Sequence, residues 1–228
     1  MASGVRVEED ARATLILDSC FDVAPHLPSD LSPLFILDPP YNMLSPSTSN
    51  RYKTKWPDKA WTPQQWRPLL RHIWRILQRG GRLLVFGKKR FFRNVCNMID
   101  DKSLGCDELV WVHGRKDNMW AKWQELSKSE RVAVFYRKAD RDHMHLPDRG
   151  NHSDMLFFPK DKTFESMKPP ALMRYLIRRY SAPGDVVVDL GMHTGVCGYA
   201  ALREGRRFVG VERVDSIFER AVTNVLGV

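Results

Sequence analysis

The chain has 228 residues, a formal net charge of +9 at pH 7 and 43% hydrophobic residues. These values are typical of one globular domain with a sizeable core, and the positive charge favours a polyanionic partner. No apolar run approaches the roughly 20 residues that span a membrane, and the opening MASGVRVEED lacks the apolar core of a secretory signal. The 4 cysteines are scattered, which excludes a disulfide framework and indicates an intracellular protein, in a nucleus, an organelle or a bacterial or viral cytoplasm.

The first half of the chain alternates strand and helix patterns. We predict strands over Thr14–Leu17 and Leu34–Leu37, because both are short apolar runs bounded by turn residues. Thr62 as N-cap and Pro63 at the first helical position then predict a helix that ends at Gly80-Gly81. Further strands are expected over Arg82–Phe86, Glu108–Val112 and Arg131–Tyr136.

Two clusters of cations follow predicted strands in this half. One mixes lysines with an aromatic ring, in a long polar segment that either binds the phosphates and bases of a nucleic acid or is an ordinary surface loop. Its residues are Lys53, Lys55, Trp56 and Lys59. The other is typical either of a phosphate site or of a solvated entry into a helix. Its residues are Lys88, Lys89 and Arg90.

The chain from Lys138 to Lys162 is polar and has no apolar periodicity, so we predict a loop there. It contains His143, His145 and His152. Since no cysteine or well-placed carboxylate completes a ligand set, we expect no metal site in this segment.

The last third is regular again. Helices are predicted over Ala171–Arg179, Gly195–Glu204 and Ser216–Val225. Two more strands are predicted over Val186–Val188 and Arg207–Val211, so the expected sheet has about seven strands. These last two strands end at acids, Asp189 and Glu212, and a turn with two glycines follows the first of them. The pattern is typical of a βαβ unit that binds a nucleotide, with the second acid on the ribose hydroxyls.

The tetrapeptide Asp38-Pro39-Pro40-Tyr41 stands where the second strand ends. Its prolines fix φ and remove two backbone donors, so the carbonyls are rigid. A carboxylate, a rigid carbonyl and an aromatic ring together suit a planar base with an exocyclic amine. The Asp38 carboxylate and the Pro39 carbonyl accept the amine hydrogens while Tyr41 stacks on the ring. The alternative is a plain Asp-Pro turn after a strand.

Several short motifs occur in a fixed order from residue 14 to residue 226. They include LFILDPPYN, ILQRGGRLLVFG, SERVAVFYRK, SMKPPALMRYLIRRYSAPGDVVVDL and AALREGRRFVGVE. In order and spacing they resemble the class β amino-methyltransferases, which modify exocyclic nitrogens of nucleic-acid bases. This resemblance implies an α/β Rossmann-like methyltransferase fold with a circularly permuted motif order and helices on both faces of the sheet.

The resemblance also implies a domain organisation and a site. It implies a single methyltransferase domain over residues 1–228, with a catalytic half at 14–137, the polar loop at 138–162 and a cofactor-binding half at 163–228. It further implies that S-adenosylmethionine is the cofactor and that Asp38 to Tyr41 form the catalytic motif. Glu212 is expected at the ribose and Asp18 near the adenine. The remaining cofactor residues implied are Lys168 and Pro169 at the methionine end, and Asp189, Gly191, His193 and Gly195 in the glycine turn.

Two features depart from the family pattern. The family's cofactor turn usually carries Phe where Gly191 stands and a glycine where His193 stands. A side chain there stands where backbone normally approaches the ligand, and we expect His193 to adopt an ordinary φ with its ring turned outward. In addition, only a short loop separates the two halves, where bacterial members carry a target-recognition insert. A protein partner that supplies target recognition is therefore expected.

Two function classes follow from the sequence. The intact DPPY motif favours an active methyltransferase that acts on adenine N6, with cytosine N4 as the other target and DNA favoured over RNA. The altered glycine turn favours instead a catalytically degenerate subunit, which binds nucleic acid as a scaffold or assembles a ribonucleoprotein.

Overall fold

A computed structural model describes residues 5–39, 63–87, 104–113, 129–137, 153–160 and 168–227. In this part of the chain nine strands form one sheet, in the order β1-β2-β9-β8-β3-β4-β6-β5-β7. The strands are β1 (Arg6–Glu9), β2 (Ala13–Leu17), β3 (Ser32–Leu37), β4 (Leu77–Gly87), β5 (Leu104–Val112), β6 (Ser129–Arg137), β7 (Met155–Phe157), β8 (Val186–Asp189) and β9 (Arg207–Glu212).

The helices lie on the two faces of this sheet. They are α1 (Cys20–Val23), a 3-10 turn (Ala24–His26), α2 (Pro63–Ile76), α3 (Pro170–Tyr180), α4 (Val196–Arg203) and α5 (Asp215–Leu226). None of these described helices has the length and apolar character that a membrane crossing requires.

Strand β3 shows how the sequence builds a core on each face. All six of its residues are buried, as expected for a central parallel strand. Leu34 and Ile36 point into the core formed with α3, α4 and α5. Phe35 and Leu37 point into the opposite core, formed with α1 and α2. The expected helices on both faces are therefore confirmed.

The strand directions bring several chain segments to one edge of the sheet. Strands β2, β9, β8, β3 and β4 are parallel, so their carboxyl ends meet there. Strand β6 runs antiparallel between β4 and β5, with Gly87 opposite Arg131. As a consequence the beginning of β6 lies at the same edge as the end of β4.

The sheet corrects the expected strand number, because it has nine strands instead of about seven. Strand β1 pairs antiparallel with β2 at one edge, and its mostly exposed sequence RVEE has no apolar alternation to reveal it. Strand β7 lies inside 138–162, which we expected to be a loop throughout, and its three residues are too few to show a period.

The expected end of α2 at Gly80-Gly81 is also wrong. The helix ends at Ile76 and β4 starts at Leu77, so both glycines lie within the strand. A Cβ at Gly81 would lie 2.9 Å from the carbonyl oxygen of Pro33. The glycine therefore permits the close approach of β4 to the beginning of β3.

Candidate active site

Four acidic residues stand at neighbouring strand ends on the carboxyl edge of the sheet. Asp18 follows β2, Glu212 ends β9, Asp189 ends β8 and Asp38 follows β3. The backbone N–H of Asp18 donates to the Glu212 carbonyl at 3.1 Å, which joins the first two of these ends. Ligands bind at this edge in open α/β sheets.

The Glu212 carboxylate is held by backbone donors on two sides. Its Oε1 accepts from the N–H groups of Arg213 and Val214, both at 2.9 Å, and its Oε2 accepts from that of His193 at 3.1 Å. Burial raises the pKa of Glu212, and these three hydrogen bonds oppose the rise. The carboxylate is thus fixed in orientation before any ligand binds.

Asp189 lies at the beginning of the glycine turn and is buried. It accepts a hydrogen bond from the N–H of Gly191 at 3.0 Å, and the Cys197 thiol donates a second one. Burial raises the pKa of Asp189 to about 7, and the charges of Asp38 and Glu212 add to the rise. These three acids stand at adjacent strand ends on the carboxyl edge, and a cation there would relieve their repulsion.

The two glycines of the turn have different surroundings, one open and one closely packed. A Cβ at Gly191 would meet no atom within 4 Å. At Gly195, which has a φ of +82°, a Cβ would lie 2.7 Å from Cγ2 of Val225. The first glycine borders the open edge, whereas the second permits α4 to pack against α5.

His193 corrects our expectation of an ordinary φ at this position. Its φ is +51°, in the left-handed region that a glycine adopts readily. The backbone N–H reaches Glu212 in this conformation, and the ring Nδ1 lies 3.4 Å from Oγ1 of Thr194. The turn therefore keeps a conformation suited to glycine with a histidine in its place. The outward direction of the ring stays a prediction.

Asp38 contacts a residue that lies 130 positions later in the chain. The Lys168 ammonium is 2.7 Å from Asp38 Oδ2 and 3.1 Å from Glu130 Oε2. Only 4% of the Lys168 side chain is exposed, and its ammonium also lies 4.9 Å from the centre of the Phe86 ring. Burial lowers the pKa of Lys168, but the two carboxylates outweigh burial and raise it.

Glu130 is a site residue that our sequence reasoning missed. It stands at the beginning of β6 with its side chain 7% exposed, and Oε1 also lies near His113 at 3.8 Å and Lys160 at 3.9 Å. Burial and the Lys160 charge lower the pKa of His113. The available signal was a single acidic residue just before an apolar strand in SERVAVFYRK.

The other predicted residues divide into two groups. Pro39 is buried directly after Asp38, and Pro169 is buried at the N-cap of α3, directly after Lys168. The second group lies outside the described residues, as do the three histidines of the polar segment. It consists of Pro40, Tyr41, Lys53, Lys55, Trp56, Lys59, Lys88, Lys89 and Arg90.

Solved methyltransferase structures share this fold. M1.HpyAVI in complex with SAM is 16% identical, with a TM-score of 0.68 over 93% of this chain and 98% of that one. The PvuII DNA methyltransferase, which is cytosine-N4-specific, is 14% identical with a TM-score of 0.70 over 94% and 86%. TTHA0409 from Thermus thermophilus, in complex with S-adenosyl-L-methionine, is 20% identical with a TM-score of 0.67 over 95% of both chains.

The fold and its carboxyl edge are those of these solved structures, two of which, M1.HpyAVI and TTHA0409, are complexes with S-adenosylmethionine. The DNA methylase family, which groups N6 and N4 methyltransferases, matches residues 33–223. The chain belongs to this family. It is a transferase that moves a methyl group from S-adenosylmethionine to an exocyclic amine of a base, and the scaffold alternative is not favoured.

Proposed function

We propose that Asp38 and Pro39 bind the target amine at the carboxyl edge of the sheet, next to a cofactor site formed by the acids at the other strand ends. The observation that carries this proposal is the convergence of Asp38, Asp189 and Glu212 at the carboxyl ends of the adjacent strands β3, β8 and β9. Burial raises the pKa of Asp189, and the charges of Asp38 and Glu212 add to the rise. Adenine N6 is the favoured target because the motif begins with aspartate, and DNA is the favoured nucleic acid because the matched family is one of DNA methylases.

The residues present fit S-adenosylmethionine. Its sulfonium and ammonium groups are cationic, and acids stand at the strand ends beside the glycine turn. Gly191 has open space where a ligand can approach the backbone. The preoriented Glu212 carboxylate suits two vicinal ribose hydroxyls, and Asp18 is hydrogen-bonded to the same strand end. We assign Lys168 and Pro169 to the methionine end of the cofactor, and His193 and Gly195 to the glycine turn that borders it.

When bound, S-adenosylmethionine would supply an electrophilic methyl group on a sulfonium, so that in-line attack on the methyl carbon breaks its C–S bond and a neutral thioether leaves. The Asp38 carboxylate and the Pro39 carbonyl accept the two hydrogens of the target amine and draw its lone pair out of conjugation. A positive charge grows on that nitrogen as the new N–C bond forms, and the Asp38 carboxylate stabilises it. The surplus amine proton then leaves along the hydrogen bond to Asp38 and passes to water. Catalysis therefore comes from the positioning of the amine and from the attraction between the Asp38 carboxylate and the charge on the amine nitrogen.

Access to the base imposes a further requirement. An amine in a paired duplex cannot reach Asp38, so the target base is flipped out or single-stranded. Tyr41 stacks on it, and Lys53, Lys55, Trp56, Lys59, Lys88, Lys89 and Arg90 bind the phosphates and neighbouring bases. A protein partner supplies target recognition, because the chain has only a short segment between its two halves.

The test has a binding arm and a transfer arm. Calorimetry should show that the wild-type chain binds S-adenosylmethionine. Radiolabelled methyl transfer, measured in parallel on mixed DNA and on mixed RNA, should give N6-methyladenine in DNA on nucleoside analysis. Asp38→Asn should bind the cofactor with a similar affinity and lose transfer. Wild-type turnover by Asp38→Asn, or a wild type that binds no cofactor, would contradict the proposal. N4-methylcytosine or labelled RNA would replace the assigned target.

A further inference from the structure

The Lys168 ammonium lies between two carboxylates of unequal exposure. The Asp38 side chain is 37% exposed, whereas that of Glu130 is 7% exposed. An ammonium buried to this degree requires compensating charges, and Glu130 supplies one from inside the protein. Asp38 supplies the other from the open side. One cation is therefore shared between the proposed catalytic carboxylate and an interior carboxylate.

The surroundings of the ammonium restrict its position. The centres of the Phe86 and Trp111 rings lie 4.9 Å and 5.8 Å from Nζ, and such aromatic rings attract a cation. Glu130 is in turn held at the beginning of β6, where the strand pairs with β5 and β4. This contact chain runs from the rigid sheet through Glu130 and Lys168 to Asp38.

We propose that Glu130 is a positioning residue that acts through the Lys168 ammonium on the Asp38 carboxylate, a role that rests on the function proposed above. The ammonium fixes Oδ2 of Asp38 and so the rotation of the carboxylate that receives the target amine. Glu130 also accepts a hydrogen bond from the ammonium, so the ammonium does not interact with Asp38 alone. Without Glu130 the ammonium interacts more strongly with Asp38, whose carboxylate then becomes a weaker acceptor for the hydrogens of the target amine.

The variant Glu130→Gln tests this role because it removes the charge and keeps the shape. We expect kcat for methyl transfer to fall by about 10- to 100-fold, the range for a misplaced catalytic group, while the Kd for S-adenosylmethionine stays within about twofold. Glu204→Gln is the matched control. Its carboxylate is similarly shielded at 10% exposure and pairs with Arg174 and Arg178, away from this edge. It should leave kcat unchanged.

A double-mutant cycle separates a shared role from two independent ones. Lys168→Met should lower kcat, and the pair Lys168→Met with Glu130→Gln should lose no more than the worse single variant, because Glu130 acts only through Lys168. An unchanged kcat in Glu130→Gln, or losses that multiply in the double variant, would overturn the proposal.

A spectroscopic arm tests the arrangement without turnover. In ¹⁵N-lysine protein, a buried and paired ammonium should give an NMR signal that exchanges slowly with water, assigned by its loss in Lys168→Met. Asp38→Asn should move this signal and Glu204→Gln should not. A missing signal, or one that Asp38→Asn leaves in place, would overturn the shared-cation arrangement. A wild type that neither binds cofactor nor transfers methyl would instead refute the proposed function, whatever this signal shows.

Discussion

The backbone N–H of His193 donates a hydrogen bond to Oε2 of Glu212 at 3.1 Å. This bond joins the glycine turn after β8 to the acid that ends β9. It forms while His193 has a φ of +51°, a conformation that costs an L-residue roughly 1–2 kcal/mol. The turn therefore holds Glu212 at the expense of local backbone strain.

The first prediction concerns this strain. His193→Gly should be more stable to denaturant unfolding than His193→Ala by about 1 kcal/mol, because alanine keeps the Cβ at positive φ and glycine does not. Both variants lack the ring, so their difference isolates the backbone. Equal stabilities would show that the left-handed conformation carries no cost in the folded chain.

The same two variants test whether the ring blocks the cofactor. We expect wild type, His193→Gly and His193→Ala to bind S-adenosylmethionine with similar affinity in calorimetry, since the ring is predicted to turn outward. Binding by both variants but not by the wild type would show that the ring fills the pocket.

The second prediction concerns pH. Burial raises the pKa of Asp189 from 3.8 to about 7, so the folded chain binds a proton more tightly there than the unfolded chain. This contribution to stability is complete below about pH 4 and is lost as the pH rises through about 7. The stability of wild type relative to Asp189→Asn should therefore fall between these pH values.

Denaturant unfolding of both proteins at several pH values from about 4 to about 8 measures this difference. The asparagine variant cannot titrate at this position, so it removes the pH dependence of all other groups from the comparison. A constant difference across the range would contradict the raised pKa.

How far the sequence predicts this site depends on how each contact arises. Asp38, Asp189 and Glu212 were predictable because each ends or follows an apolar strand, and parallel strands bring such ends together. The contact of Glu130 with Lys168 was not, because it depends on the antiparallel direction and register of β6. No local pattern encodes either property.

Backbone conformation at single residues was equally hidden from the sequence. A positive φ is uncommon for a residue other than glycine, and at His193 it accompanies a hydrogen bond to a residue 19 positions away. Strand β1 was missed for a similar reason, since its pairing with β2 defines it and its own residues are mostly exposed.

The third prediction compares two glycines of the cofactor turn. Gly195→Ala should destabilise the fold by about 1–3 kcal/mol, because its φ is +82° and its Cβ would press on Val225. Gly191→Ala should leave stability nearly unchanged, since nothing lies within 4 Å of its Cβ. Thermal and denaturant unfolding of both variants checks the contrast, and a destabilised Gly191→Ala would contradict it.

Gly191→Ala also reports on the ligand. If the cofactor approaches the backbone in the open space beside Gly191, the added methyl should weaken S-adenosylmethionine binding in calorimetry although the fold is intact. Unchanged affinity would place the cofactor elsewhere along the edge.

The fourth prediction concerns the nucleic acid. The net charge of +9 and the short segment between the two halves predict that the isolated chain binds nucleic acid mainly through phosphates and with little sequence preference. Affinity for unrelated DNA oligonucleotides of equal length should be similar. It should also fall by orders of magnitude between low and moderate salt, because bound cations are released from the phosphates. Fluorescence anisotropy at several salt concentrations measures both properties.

Replacement of Lys53, Lys55 and Lys59 by glutamine should weaken binding to all oligonucleotides and flatten the salt dependence, whereas Arg12→Gln, in the turn between β1 and β2, should change neither. A flat salt dependence in the wild type, or strong discrimination among the oligonucleotides, would show that the chain recognises bases without a partner.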